Sequence, residues 1–368
     1  MNPTLALYLS AGEPSGDAHG AALVGALRNA APAVILEAMG GPAMAAGARI
    51  LERADSMAAF GLAEAARSLP AHLFALSRVG RRLRSRTYAA AALIDYPGFH
   101  LRVARLAAQH RIPVLYYIPP QLWAWAPGRA RTLRESVSLV ASVLPFEVPV
   151  LNRLGVRATF VGHPVLERTR PSPVEARRRL GIDQNRPVLA LLPGSRQSEI
   201  RRHWPLFQEA ARLLRARRPE LALVLGTAPD QVYHLGDEPL VTTDAPHALA
   251  AATVALCKSG TATLEAAVAG VPMVIAYRLH PLTFAIARRL VRVPFIGLPN
   301  LIAGRSVAPE YLQGGATAKD LALAVDRLLD PASPTARRQR EDLAEVVERL
   351  GPPGASARVA ALLLELVA

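Results

Sequence analysis

Between Val254 and Tyr277 the chain reads as an apolar strand, a turn of small residues, a short helix, a Gly-Val-Pro turn and a second apolar strand. The strands are Val254–Cys257 and Val271–Tyr277, and between them lie Lys258-Ser259-Gly260-Thr261-Ala262-Thr263-Leu264-Glu265 and Ala266–Gly270. A helix joining two short apolar strands is a βαβ unit, which commits this part of the chain to a parallel sheet covered by helices. The first N–H groups of such a helix are unpaired and carry a partial positive charge, so the Ser259–Thr261 turn suits a phosphate. Glu265, one turn further on, could accept hydrogen bonds from a sugar hydroxyl. The same residues also suit an ordinary cap by Ser259 or Thr261 with Glu265 closing a capping box. Spacing leaves both readings open.

The alternation of strand and helix occurs in two series. The first runs through Thr4–Leu9, Val34–Met39, Ala89–Ile94, Pro113–Ile118 and Leu139–Leu144, and closes at Gly162-His163-Pro164. The second starts with Val188–Leu192, continues through Leu221–Leu225 and reaches the Val254–Tyr277 unit. At 368 residues the chain exceeds one ordinary core. The fold class is therefore α/β, with two Rossmann-like domains facing across a cleft. The expected boundaries are 1–164 and 165–342, with a C-terminal helix over about 343–368 returning to the first domain.

Several strand ends carry residues suited to chemistry. The first strand runs into Ser10-Ala11-Gly12-Glu13-Pro14-Ser15-Gly16-Asp17, where small residues allow a ligand close to the backbone and Asp17 is placed to cap the helix over Ala21–Arg28. Asp95 ends the Ala89–Ile94 strand, where open α/β sheets hold their ligands and a carboxylate can serve as general base. The alternative is a cap for the Phe99–Gln109 helix, but the strand-end position favours the functional reading. Val188–Leu192 runs into Pro193-Gly194-Ser195-Arg196, an anion site in which Arg196 can fork onto phosphate oxygens. Trp123 and Trp125 share one loop, which either closes the core or lines a pocket. Met57–Arg86 combines apolar residues at helical spacing with arginines toward its C-terminal end. That suits a helix lying on an anionic bilayer, though spacing alone favours a buried helix with a solvated basic tail.

Composition narrows the function. The net charge is +14, and the cations are almost all arginine, Lys258 and Lys319 apart. Such a charge favours phosphorylated substrates, anionic membranes or nucleic acid, but no zinc finger, RNA-binding aromatic signature or basic tail supports nucleic acid. The lone Cys257 lies in an apolar strand and reads as a core residue. No Asp-x-Asp pair or His/Cys/carboxylate cluster has metal spacing. No run is long enough to span a bilayer and the N-terminus lacks a basic signal region, so the expected compartment is the cytoplasm. Metal-independent chemistry on a nucleotide sugar is the reading these features share.

The Ala11–Asp17 loop, Ile94-Asp95-Tyr96-Pro97-Gly98-Phe99, Trp123-Ala124-Trp125, Leu144-Pro145-Phe146-Glu147, Val161-Gly162-His163-Pro164, Leu192–Glu199, Ser259–Glu265 and Leu298–Arg305 together resemble the lipid-A-disaccharide synthase family, in order and in spacing. The likeness implies a GT-B fold and an inverting transfer of 2,3-diacylglucosamine from its UDP derivative to the 6-hydroxyl of 2,3-diacylglucosamine 1-phosphate. The products are a β-1,6 disaccharide and UDP, and neither cofactor nor metal is implied. By the same likeness Asp95 and Arg196 are catalytic. Gly194, Ser195, Ser259, Gly260, Thr261, Glu265, Asn300, Arg305, Glu310 and Gln313 bind the UDP donor, while Glu13, Ser15, Gly16 and Asp17 form the acceptor-side loop. The likeness also implies peripheral attachment to the inner face of the cytoplasmic membrane through about 57–86, and it is compatible with a homodimer. Gly98, Pro119 and Lys258 depart from the family pattern, which has an Asp, a Ser and a small residue there. Two alternatives share the architecture: a UDP-sugar 2-epimerase, and a UDP-binding membrane-surface protein without turnover.

Overall fold

The computed structural model describes residues 5–53, 62–85, 88–122, 127–229, 231–235, 240–280, 284 and 293–367, without the side chains of 62–71 and 127. The Trp123–Trp125 loop, the N-terminal part of the Met57–Arg86 segment and nearly all of 282–291 lie outside the described residues.

The chain forms two compact units, Met1–Glu167 with Leu350–Ala368, and Arg168–Arg349. The first holds a seven-stranded sheet ordered β3-β2-β1-β4-β5-β6-β7. Its strands are β1 (Ala6–Ala11), β2 (Ile35–Gly40), β3 (Arg49–Arg53), β4 (Ala90–Ile94), β5 (Val114–Tyr117), β6 (Leu139–Ser142) and β7 (Ala158–Phe160). The second holds a six-stranded sheet ordered β10-β9-β8-β11-β12-β13, built from β8 (Val188–Leu192), β9 (Ala222–Thr227), β10 (Val241–Asp244), β11 (Val254–Lys258), β12 (Met273–Tyr277) and β13 (Glu310–Leu312). Neighbouring strands are parallel throughout both sheets.

Burial follows from this order. The inner strands β1, β4, β5, β6 and β8 are buried at every position, because helices cover both faces of a parallel sheet. Cys257 is fully buried in β11, and that burial pushes its thiol upward. Three of the four edge strands, β3, β10 and β13, read Arg-Ile-Leu-Glu-Arg, Val-Thr-Thr-Asp and Glu-Tyr-Leu and are only partly buried. Short and polar, they lack the apolar run that marks the inner strands.

Helix Leu62–Ser85 packs through Ala75, Val79 and Leu83, at i, i+4 and i+8, into the same core as helix Pro97–Gln109. Arg82 on this helix reaches the buried Glu37 carboxylate at 3.2 Å. Leu73 and Phe74 remain exposed at 55% and 61%, with the Arg78 guanidinium 5.6 Å from the Phe74 ring centre.

The chain returns to the first unit at Leu350, later than the 343 expected from sequence. Leu343 and Val346 are buried in helix Pro334–Arg349, which contacts helices Thr261–Val268 and Leu298–Ala303 of the second unit. The final helix, Ala355–Glu365, packs on helix Pro14–Ala30. It is tied there by Ser356, whose N–H and hydroxyl donate to the Glu167 carboxylate at 2.9 and 2.8 Å.

Candidate active site

Each sheet reverses its strand order once, between β1 and β4 in the first and between β8 and β11 in the second. Open parallel sheets bind ligands beyond the carboxyl ends of the strands at such a reversal. The turns singled out in the sequence leave from these four strand ends.

In the first unit Ala11 pairs with Ile94, so β1 and β4 end level and their turns lie side by side. A Cβ on Gly12 would lie 2.1 Å from the Tyr96 ring, so only glycine lets the turns meet. Asp95 and Tyr96 are both left-handed, at φ 52° and 50°. The Asp95 N–H donates to the Tyr117 carbonyl at 2.9 Å. The Asp95 carbonyl accepts from the Tyr116 hydroxyl at 2.8 Å and from His100 Nδ1 at 2.7 Å. His100 is fully buried, and its Nε2 lies 2.8 Å from the Ser10 hydroxyl. Burial lowers its pKa to about 4, so the ring is neutral at pH 7. With Nδ1 carrying the proton toward a carbonyl, Nε2 must accept from Ser10. Tyr96, hydrogen-bonded to His72, is pushed up to about 12 by burial and by the nearby Glu13 carboxylate.

The Ala11–Asp17 loop departs from expectation at Asp17. The helix begins at Pro14, whose ring presets the first helical φ, and its N-cap is Glu13, which makes no side-chain cap. Asp17 therefore lies inside the first turn rather than capping a later start. Its buried carboxylate accepts the N–H groups of Gly41, Ala43 and Met44 at 2.7, 2.9 and 3.2 Å. Asp17 builds the turn after β2, while Glu13 and Ser15 are the more accessible members of the loop. A Cβ on the buried Gly16 would stand 3.5 Å from Ala11, in ordinary contact.

In the second unit Leu192 pairs with Cys257, so β8 and β11 end within one residue of each other. Gly194 and Gly260 follow them at φ 134° and 153°, regions that only glycine enters easily. Gly260 is the N-cap of helix Thr261–Val268, and no side chain caps that terminus. The capping box is thus absent. Ser259 donates to the Ile296 carbonyl at 2.8 Å, and Glu265 pairs with Arg168 instead of turning back on the helix. Thr261 is exposed at the helix start.

Glu199, named from sequence only as the end of the Leu192–Glu199 segment and given no role there, joins the two turns. It accepts from Lys258 Nζ at 2.8 Å and from the Ser195 N–H at 3.3 Å, and Arg196, N-cap of helix Gln197–Arg215, lies 3.6 Å away. Burial alone would raise this carboxyl, but Lys258, Arg196 and the Ser195 N–H outweigh it and hold it low. Lys258 also lies 5.7 Å from the Tyr277 ring centre. One turn on, fully buried His203 donates from Nδ1 to the Glu199 carbonyl at 2.8 Å and accepts the Arg278 N–H at 2.9 Å. The signal was a lysine ending a buried strand, since such a charge needs a partner.

The remaining residues expected at the donor site separate. Asn300 is fully buried and its amide is saturated. Its oxygen takes the N–H groups of Val307 and Ala308, and its nitrogen donates to the Ala308 carbonyl and the Glu310 carboxylate. Glu310 also accepts the N–H groups of Ile296 and Gly297, both at 2.9 Å. These two residues build the loop on which Ser259 rests. Gln313 accepts the Leu279 N–H at 3.0 Å. Arg305 turns to helix Pro334–Arg349, pairing with Asp342 at 2.8 Å and Glu345 at 2.6 Å.

Known proteins resemble this chain in sequence and in fold. The lipid-A-disaccharide synthetase family profile matches residues 7–362. The lipid-A-disaccharide synthase of Geobacter sulfurreducens is 39% identical, covering all of this chain and 98% of its own. That of Myxococcus xanthus is 40% identical, with the same coverage. Among solved structures, a Neisseria meningitidis UDP-GlcNAc 2-epimerase bound to UDP-GlcNAc superposes with a TM-score of 0.65 at 11% identity, over 98% of this chain and 99% of its own. The spinosyn rhamnosyltransferase SpnG, complexed with thymidine diphosphate, gives 0.64 at 14% identity, over 97% and 99%. Likeness at that identity speaks for the fold alone, whereas the profile and the full-length relatives show that this chain belongs to the lipid-A-disaccharide synthase family.

Proposed function

We propose that the chain transfers 2,3-diacylglucosamine from its UDP derivative to the 6-hydroxyl of 2,3-diacylglucosamine 1-phosphate, with Asp95 as the base and the turns after β8 and β11 as the donor site. Family membership supplies the disaccharide-forming glycosyl transfer. The observation that carries the residue assignment is that both groups of turns fall at the order reversals of their sheets. In the step, the acceptor oxygen bonds to the anomeric carbon as its proton passes to Asp95. The bond from that carbon to the UDP oxygen breaks, inverting the centre. Charge then grows on the diphosphate, where the N–H groups of Thr261–Val268 and the Arg196 guanidinium offset it.

Ser259 and Gly260 let the diphosphate approach the helix end, Gly194 and Ser195 do the same beside Arg196, and Glu265 offers a carboxylate to the ribose. Asn300 and Glu310 act by shaping the loop beneath Ser259. The acceptor's acyl chains come from a membrane. Exposed Leu73 and Phe74 with Arg78 support docking of helix Leu62–Ser85 on the anionic inner face of the cytoplasmic membrane. Among the described residues, no helix is long and apolar enough to cross a bilayer.

The test supplies the purified protein with both diacylated substrates and follows products by mass spectrometry. Disaccharide and UDP in equal amounts support the assignment. Conversion of the donor to its C2 epimer, or UDP binding without turnover, would replace it with one of the alternatives.

A further inference from the structure

We propose that His100 and Tyr116 are positioning residues for this transfer, clamping the Asp95 carbonyl and so fixing the backbone from which the Asp95 carboxylate projects. The inference rests on the reading of Asp95 as the base.

Two consecutive left-handed residues, neither of them glycine, are a costly way to leave a strand. A less strained turn is the natural alternative, so something must hold this one. The Asp95 carbonyl is held by two donors from different elements, the Tyr116 hydroxyl on β5 at 2.8 Å and His100 Nδ1 on helix Pro97–Gln109 at 2.7 Å. The Asp95 N–H is held by the Tyr117 carbonyl at 2.9 Å. Both peptide groups flanking the Asp95 Cα are thereby fixed, and with them the direction of its Cα–Cβ bond. A transferring base must meet the acceptor hydroxyl at hydrogen-bond distance, where small displacements are expensive.

The clamp is itself braced. His100 and Tyr116 are fully buried. Ser10, at 2.8 Å from His100 Nε2, selects the tautomer that donates from Nδ1. Ser10 belongs to β1, so the brace spans the same strand pair at which the sheet order reverses. Burial lowers His100 to about 4, which keeps the ring neutral at pH 7, so that Nε2 stays free to accept from Ser10.

Two isosteres separate the roles of the ring nitrogens. In His100→Asn the amide nitrogen takes the place of Nδ1 and can still donate to the Asp95 carbonyl. In His100→Gln the amide oxygen takes the place of Nε2, still accepting from the Ser10 hydroxyl and losing the clamp. Tyr116→Phe removes the second donor alone. The variants and Asp95→Asn are compared in full-length protein by kcat, by KM for the UDP donor and by urea midpoint. Positioning predicts kcat in His100→Asn within about threefold of the parent, and a loss of about five- to thirtyfold in His100→Gln and in Tyr116→Phe, with donor KM unchanged. Packing alone would not rank Asn above Gln or separate kcat from KM. Should His100→Gln fail to fold, Tyr116→Phe decides. An inactive Asp95→Asn beside full kcat in His100→Gln and Tyr116→Phe overturns the clamp alone. A fully active Asp95→Asn overturns the base reading, and the clamp with it.

Discussion

Replacing Lys258 by methionine tests how the two donor-side turns are held together. Lys258 Nζ lies 2.8 Å from Glu199, and the two side chains are only 14% and 16% exposed. Removing one partner of a fully buried pair costs about 3–5 kcal/mol, while an exposed pair contributes about 0–1 kcal/mol. This pair lies nearer the buried limit, but Arg196 at 3.6 Å and the Ser195 N–H at 3.3 Å remain to compensate the orphaned carboxylate. The expected loss is about 2 kcal/mol, which for a unit of this size is a fall of roughly 4–8 °C in its melting temperature. Urea and thermal unfolding would read it, and the doubly substituted Lys258→Met/Glu199→Gln protein would recover part, giving a coupling of about 1–2 kcal/mol. UDP should also bind more weakly to Lys258→Met by calorimetry, because the turns after β8 and β11 lose their common tie. A melting shift below about 1 °C together with zero coupling would refute the view that this pair organises the donor site.

Asn300→Ala and Arg305→Ala should differ sharply: the first orphans buried backbone groups and costs roughly 3 kcal/mol, while the second loses only solvent-screened pairs, leaving the urea midpoint nearly unmoved and UDP affinity unchanged by titration. Stability should fall as pH drops below about 6.5 and reach its full value above it, because burial lowers His100 and His203 to about 4 and the unfolded chain binds protons that the folded chain refuses. Chemical denaturation at pH 7.5 and 4.5 checks this, with a shallower dependence in His203→Gln. Replacing both Leu73 and Phe74 by serine should reduce sedimentation with anionic vesicles by about tenfold or more, while leaving turnover of detergent-dispersed substrates intact.

What was legible in the sequence divides by the range of the contacts. The inner strands announced themselves because full burial leaves an uninterrupted apolar run, and their ends supplied the turns at Asp95, Gly194–Arg196 and Ser259–Thr261. The edge strands β3, β10 and β13 did not, since half-buried short segments carry polar residues. Local chemistry misled where the true partner was distant. Asp17 had the look of a cap but accepts from a turn 24–27 residues on. Glu265 looked ready to close a capping box and instead meets Arg168, 97 residues away. Arg305 suggested an anion ligand, yet two carboxylates on a later helix engage it. Glu199, His100 and Tyr116 gave little signal, because their significance lies in which backbone groups the fold brings to them.

In the proposed transfer one carboxylate, Asp95 at the order reversal of the first sheet, takes the acceptor proton. Single-turnover transfer by Asp95→Asn, measured with UDP affinity on the same preparation, tests it most directly. With Asp95 as the base, the rate falls by about a hundredfold or more with UDP binding unchanged. A rate within about threefold of the parent would contradict it.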